Sequence, residues 1–254
     1  MLQALLEAGV RPDLVVGTSV GAINGAMVAA DPSVETITRL SRLWAGIGNS
    51  DVFGGSIASQ VGTLLRTRTH LHANSALRRL LEQHLPYRLI EEFPVQFQCV
   101  AASVEQAGAH WFTEGSVIDA VLASTAVPGL LPPVEIGGEH FLDGGLVHSI
   151  PVGRAVALGA RTIYVLHVGR VEEPLTPPTS PLQVGLVAFE ISRRHRFVEE
   201  MRHLPDDVTV HVLPTGGPPK ADLSQLRYRD VSKVAERIAR AYAASAEYLA
   251  EQLP

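Results

Sequence analysis

The pentapeptide Gly-Thr-Ser-Val-Gly, with Ser19 at its centre, fits the pattern Gly-x-Ser-x-Gly. The apolar run Leu14–Val16 before it predicts a buried strand, and Val20–Ala30 after it predicts a helix of mostly small residues. In this order the serine lies on a sharp strand-to-helix turn, where Gly17 and Gly21 omit Cβ atoms that would clash. The helix directs its positive N-terminal end at the serine oxygen. We predict that Ser19 is a nucleophile; the alternative is a glycine-rich turn whose serine only caps the helix.

A second candidate for a chemically active side chain is Asp143. It follows a predicted hairpin and precedes Gly144 and Gly145. The hairpin is indicated by two short strands, 134–136 and 139–142, on either side of a Gly-Gly turn. Two glycines after an acidic residue let the backbone turn away, so that the carboxylate projects from the strand end. The alternative is an Asp-Gly turn with no chemical role.

A serine hydroxyl is a weak nucleophile and needs a base within hydrogen-bond reach. In the common hydrolase order, Ser19 and Asp143 would be followed by a histidine. Five histidines follow Asp143: His148, His167, His195, His203 and His211. His167, at a predicted strand end, fits best among them, although a strand histidine is more often structural. An α/β-hydrolase also places several strands before its nucleophile, and here at most one strand precedes it.

Three blocks of the sequence together resemble the patatin-like phospholipase family. They are G-T-S-V-G around Ser19, A-S-T-A-V-P-G-L-L-P-P-V from Ala123, and D-G-G from Asp143 with Pro151 after it. The resemblance extends from Met1 to about residue 167. It implies a three-layer α/β/α fold with a central, mostly parallel sheet. It also implies a catalytic dyad, in which Ser19 attacks an ester carbonyl and Asp143 takes the hydroxyl proton.

The resemblance implies a lipid acyl hydrolase that acts on a phospholipid, a lysophospholipid or a simpler acyl ester through an acyl-enzyme. An isolated aspartate has a pKa of about 3.9 and is a poor base at neutral pH. Burial beside an apolar acyl pocket should raise the pKa of Asp143 toward the range that general-base catalysis needs. We expect no metal or organic cofactor. An acyltransferase that uses the same acyl-serine differs only in the acyl acceptor and stays open.

The sequence departs from the family pattern in two places. The family carries a glycine-rich segment before the nucleophile strand, whose N–H groups form the oxyanion hole, and this sequence begins after that point. Because Met1 falls inside a helical pattern, we expect the natural start to lie upstream; the alternative is a catalytically impaired protein that binds lipid or a partner. The second departure is Ser149, where the family often has asparagine, and a hydroxyl can replace part of the amide's hydrogen bonding.

Alternating helical and strand patterns along the rest of the chain favour an α/β fold. Further helices are predicted over about 1–8, 34–44, 75–85, 116–124, 151–158, 182–203 and 230–252, and further strands over 95–102, 109–113, 162–168 and 208–212. We expect one domain, 1–254, with a core over about 1–170 and a C-terminal extension over about 171–254. Residues 46–69 keep helical spacing and are either a packing helix or an apolar lid over a lipid-binding mouth.

Composition limits the class of partner. The chain has 254 residues, 46% hydrophobic and 19% charged, which is enough for a sizeable core. A net charge of −5, with no basic cluster beyond Arg193-Arg194-His195-Arg196, argues against nucleic acid. That cluster is either a solvated helix face or a contact for anionic head groups.

Localisation follows from two further features of the sequence. The single cysteine, Cys99, cannot form an internal disulfide and is compatible with a reducing compartment. The sequence contains no secretory signal pattern and no apolar run of about eighteen residues. We expect a cytoplasmic protein, with peripheral attachment to a membrane as the alternative.

Overall fold

The computed structural model describes residues 1–46, 74–167, 174–217 and 234–253. Its helices, numbered in chain order, are α1 Leu2–Glu7, α2 Val20–Ala30, α3 Val34–Gly46, α4 Ser75–His84, α5 Val117–Ser124, α6 Val152–Ala157, α7 Pro181–Arg202 and α8 Val234–Gln252. Each begins and ends within a few residues of its prediction. Residues 47–69 of the segment predicted as a packing helix or an apolar lid, the end of the predicted strand at Val168 and the start of the last predicted helix lie outside the described residues.

The strands are β1 Leu14–Gly17, β2 Gln96–Ser103, β3 Gly108–Phe112, β4 Val134–Ile136, β5 Glu139–Asp143, β6 Thr162–Val165 and β7 Thr209–Val212. The first five form one sheet, in which β2 pairs in parallel with β1 and antiparallel with β3 and β5, and β5 pairs antiparallel with β4. Strands β6 and β7 form a separate parallel pair. The α/β class is therefore confirmed, and the central sheet is mixed.

Strand β2 is covered on both faces, as its alternating contacts show. Phe97, Cys99 and Ala101 join the main hydrophobic core together with residues of α2, α4 and α5. On the opposite face Gln98 is buried and accepts a 2.8 Å hydrogen bond from Arg154 of α6. Because side chains alternate along a strand, these contacts place helices on both sides of the sheet and give the predicted three layers.

The edge pairings of β2 bring two strand ends together. Ala101 pairs with both β3 and β5, and Cys99 pairs with both β1 and β3. A strand has two edges, so β1 and β5 must share the edge of β2 that β3 does not occupy. Since β1 is parallel to β2 and β5 antiparallel, they run toward each other along that edge, and their last residues stand opposite Cys99 and Ala101.

Described residues beyond β5 pack against the sheet through α6 and against the first helix through α8. Helices α1 and α8 share a hydrophobic cluster built on Leu5, Leu213 and Leu249, and the Tyr242 hydroxyl donates to Glu7 at 2.7 Å. Among the described residues, no helix combines the length and the apolar character that crossing a bilayer requires.

Candidate active site

Ser19 occupies a strained turn between β1 and α2. Its backbone has φ 55° and ψ −123°, in the half of the map where a residue with a side chain is uncommon. Its N–H donates a 3.0 Å hydrogen bond to Oγ of Ser124, which is fully buried at the end of α5. That bond helps to hold the strained turn from the neighbouring helix.

The two glycines of the motif have different roles. A Cβ on Gly17 would lie 2.6 Å from the carbonyl oxygen of Gly21 and 2.8 Å from the amide nitrogen of Ala22, so no side chain fits there. A Cβ on Gly21 would meet no atom within 4 Å. The expectation that both glycines prevent a clash is therefore wrong for Gly21, because α2 turns its second residue outward.

Thr18 ties this turn to the segment that follows Asp143. Its hydroxyl donates a 2.8 Å hydrogen bond to the backbone carbonyl oxygen of His148. The turn that carries Ser19 is thus held from two directions, by Ser124 on α5 and by the chain near His148.

The structure brings Ser19 and Asp143 into contact. The Ser19 hydroxyl donates a 2.6 Å hydrogen bond to Oδ2 of Asp143. The converging ends of β1 and β5 account for this meeting of residues that are 124 positions apart, because Ser19 and Asp143 lie at or just beyond those ends.

Asp143 is fully buried, and its second carboxylate oxygen accepts a 2.7 Å hydrogen bond from the N–H of Gly145. Burial raises the pKa of Asp143 from 3.8 to about 6, against the opposing effects of the Ser19 hydroxyl, the Gly145 N–H and the charge of Arg193. The direction is the one that the sequence analysis expects. A carboxyl group with this pKa is ionised at neutral pH and is a better proton acceptor than an exposed aspartate.

The glycines after Asp143 lie in close contact with their neighbours. They begin a short 3-10 helix, Gly144–Leu146, that passes over β2. A Cβ on Gly144 would lie 2.8 Å from the carbonyl carbon of Val100 and closer still to its oxygen. A Cβ on Gly145 would lie 2.9 Å from the ring of Phe189 on α7. Both positions need glycine because backbone or ring atoms occupy the space of a side chain.

Three of the histidines considered for a triad bond to other groups. His148 bonds through Nδ1 to Glu200 at 2.8 Å, His203 to the carbonyl oxygen of Glu199, and His211 to the Tyr248 hydroxyl. His167 lies just beyond the end of β6, and His195 is exposed on α7. The hydroxyl of Ser19 itself bonds to a carboxylate.

The basic cluster of α7 is not a uniformly solvated face. The side chains of Arg193 and Arg194 are 19% exposed, and both bond to Glu190. Arg196 is 56% exposed and fits the solvated interpretation. Arg193 also donates a 3.2 Å hydrogen bond to the hydroxyl of Ser149, so serine supplies a hydrogen-bonding group at the position where asparagine was expected.

Sequence reasoning gave several side chains that support the site no role in it, and for Arg193 it offered only a solvated helix face or a contact for anionic head groups. Thr18 and Ser124 lie within two of the three blocks that resemble the family. The sequence alone does not show which groups their hydroxyls bond to. Glu190 and Arg193 lie more than forty residues after Asp143, and no sequence pattern links them to it. Only the packing of α7 reveals their contribution.

Replacement of Ser124 by alanine is expected to lower the free energy of unfolding by about 1 to 3 kcal/mol, because the N–H of Ser19 loses the acceptor of its part-buried hydrogen bond. Urea unfolding followed by circular dichroism measures the loss. Ser41→Ala is the control, since its hydroxyl bonds to the carbonyl oxygen of Ile37 within α3 and its removal should cost less than about 0.5 kcal/mol. Equal stability of the Ser124 and Ser41 variants would contradict the role given to Ser124.

The fold and the site define a class of α/β proteins that present a serine, on a strained strand-to-helix turn, to a buried carboxylate. The family model described as Patatin-like phospholipase matches residues 1–156. The match covers more than half of the chain and includes both Ser19 and Asp143. The chain belongs to the patatin-like phospholipase family.

Comparison with curated proteins finds relatives of the same kind. Lysophospholipase nte1 of Aspergillus terreus is 28% identical over 173 residues, which are 68% of this chain and 11% of that protein. Patatin-like phospholipase domain-containing protein 6 of Homo sapiens is 30% identical over 175 residues, 68% of this chain and 12% of that protein. The chain therefore spans about a tenth of the length of these relatives.

Proposed function

We propose that this protein hydrolyses the ester bond of a lipid acyl substrate, with Ser19 as nucleophile and Asp143 as general base. The observation that carries the proposal is the 2.6 Å hydrogen bond from the Ser19 hydroxyl to the buried carboxylate of Asp143. A donor so close to an ionised oxygen is ready to lose its proton as the hydroxyl oxygen attacks. Family membership and the names of the relatives support the same chemistry.

The reaction runs in two halves. Oγ of Ser19 bonds to the acyl carbonyl carbon while Asp143 takes the hydroxyl proton; the tetrahedral intermediate then breaks its bond to the alcohol oxygen, and Asp143 returns the proton to the leaving alcohol. In the second half, water attacks the acyl-serine and gives its proton to the same carboxylate. The fatty acid leaves and the proton returns to Ser19. One carboxyl group thus serves as base and acid in each half.

The start of α2 supports charge stabilisation in this scheme. Val20 directly follows the nucleophile and is the first residue of α2. In hydrolases with a serine on such a turn, the backbone N–H at this position donates to the oxyanion. The aligned peptide dipoles of this eleven-residue helix add a positive end at the same place. Both favour the negative oxygen of a tetrahedral intermediate.

We propose a lysophospholipid as the first substrate to test, because relatives from Aspergillus terreus and Candida glabrata are named lysophospholipases. The assay uses lysophosphatidylcholine micelles and p-nitrophenyl butyrate, with released fatty acid and nitrophenol measured over time. Samples quenched in acid are digested and mapped by mass spectrometry. The expected result is product release together with an acyl group on the peptide that contains Ser19.

Two outcomes would contradict the proposal. One is the absence of product and adduct with both substrates in folded protein. The other is an acyl group that maps to a different residue while turnover continues. Comparison of the lysophospholipid with a diacyl phospholipid of the same head group tests the substrate assignment separately from the nucleophile.

A further inference from the structure

Helix α7 lies outside the residues that the family model matches, yet it contacts the segment after Asp143 at several points. Its Phe189 ring lies where a side chain on Gly145 would be. The Ser192 hydroxyl donates a 3.1 Å hydrogen bond to the carbonyl oxygen of Leu146. These contacts place one face of α7 along the chain from Gly144 to Ser149.

Arg193 extends from this face and is held in a fixed orientation. Its Nε and Nη2 donate to the two carboxylate oxygens of Glu190 at 2.9 Å and 2.8 Å, a paired geometry that fixes the plane of the guanidinium. The third nitrogen, Nη1, donates to the Ser149 hydroxyl at 3.2 Å. Because both side chains of the ion pair are less than one-fifth exposed, solvent screens their charges weakly.

We propose that Arg193 is a positioning residue of the candidate active site, which anchors the segment after Asp143 through Ser149 and presents a fixed positive charge to the carboxylate. The inference rests on the proposed function, in which Asp143 must be ionised to accept the serine proton. The charge of Arg193 lowers the pKa of Asp143 and so opposes the larger effect of burial. Without this cation, Asp143 would stay protonated to a higher pH and would be inactive as a base over a wider range.

Other ionisable groups near the site belong to the segment after Asp143 and to the two helices that pack on it. They are His148, Arg154, Glu190, Arg193, Arg194, Arg196 and Glu200. Glu190 is neutralised by Arg193 and Arg194, and Glu200 bonds to His148 and lies near Arg196. Arg193 is the member whose charge acts on Asp143.

The test compares the pH dependence of kcat/KM for p-nitrophenyl butyrate in matched variants. In Arg193→Gln the acidic limb of the profile is expected to move to higher pH by at least about 0.5 unit, since one cation is lost near a buried carboxylate. Arg202→Gln makes the same change of net charge at a residue that is 67% exposed and bonded to Glu199, and its profile should coincide with that of the wild type. A limb that stays in place in Arg193→Gln, or that moves equally in Arg202→Gln, would overturn the proposal.

Two conservative variants separate the charge from the hydrogen bonds, and serve if Arg193→Gln does not fold. Arg193→Lys keeps the charge but cannot form the paired contact with Glu190, and Ser149→Ala removes the acceptor of Nη1. Both are expected to lower kcat about 2- to 10-fold with the acidic limb unmoved, because misplacement of the base costs rate without changing its ionisation. Unchanged kcat in both would overturn the anchoring role.

A second readout does not depend on activity. The free energy of unfolding is measured by urea titration between pH 5 and 8 in wild type and Arg193→Gln. Since an ionised buried Asp143 destabilises the folded state, the loss of stability with rising pH should continue to a higher pH in the variant. Identical curves would reject the inference, whereas a shift in a protein without Ser19-dependent turnover would retain the electrostatic role and reject the proposed function.

Discussion

Asparagine in place of Asp143 is expected to lower kcat for ester hydrolysis by about 10³-fold or more, while the protein stays folded. The amide has nearly the shape of the carboxyl group: its one oxygen can still accept the hydrogen bond of the Gly145 N–H, while its NH2 group takes the place of Oδ2 and donates to the Ser19 hydroxyl. It cannot take the serine proton, because an amide is not basic at any pH used in an assay. Steady-state kinetics with p-nitrophenyl butyrate measure the loss.

Two further variants make this result specific. Ser19→Ala should reduce turnover as much as Asp143→Asn, and the double variant should be no worse than either, since the two residues act as one unit. Asp119→Asn removes a carboxylate of α5 that pairs with Arg78 and should retain wild-type kcat. Activity of Asp143→Asn within tenfold of wild type would show that another group accepts the proton.

The buried carboxylate also predicts how activity and stability depend on pH. Because the pKa of Asp143 is raised to about 6, kcat/KM should rise between about pH 5 and pH 7 as the base ionises. Stability should change in the opposite direction: a group whose pKa is raised on folding stabilises the fold when protonated, and that contribution is lost as pH rises through about 6. Asp143→Asn should abolish this dependence and be more stable than wild type at pH 8 by up to about 3 kcal/mol.

The local parts of the site could be predicted because each depends on neighbouring residues. The turn at Ser19 is predicted from a strand, a serine flanked by glycines and a helix in sequence, and the projection of the Asp143 carboxylate from a strand end is predicted from a hairpin followed by two glycines. The meeting of these two residues was expected from family resemblance. The structural reason, the shared edge of β2, depends on pairings between strands about eighty and forty residues apart.

Two features of the structure were harder to predict from the sequence. The alternation of helices and strands indicated a mostly parallel sheet, but β2 and β3 are joined by four residues and β4 and β5 by two, which is too short for a parallel crossover. The role of α7 left no local trace, because Glu190 and Arg193 form an ordinary ion pair at helical spacing. Their relation to Asp143 arises only when α7 packs against Ser149.

Alanine at Gly144 is expected to destabilise the protein by about 3 kcal/mol or more, the largest effect on stability that the structure predicts for a single methyl group. The added Cβ would lie 2.8 Å from the carbonyl carbon of Val100, and backbone atoms of a central strand cannot move aside as a flexible side chain can. Gly17→Ala should be comparably harmful, since its Cβ would lie 2.6 Å from the carbonyl oxygen of Gly21. Urea unfolding at pH 7.5 compares both variants with wild type.

Gly21→Ala is the matched control, because it adds the same atom to the same serine motif at a position where no atom lies within 4 Å. Alanine there should leave stability unchanged or raise it by up to about 1 kcal/mol, since Gly21 lies in the first turn of α2 and alanine favours a helix over glycine. The opposite signs expected at Gly17 and Gly21 separate steric necessity from membership of a motif. If Gly21→Ala were as destabilised as Gly17→Ala, the geometry assigned to the turn around Ser19 would be wrong.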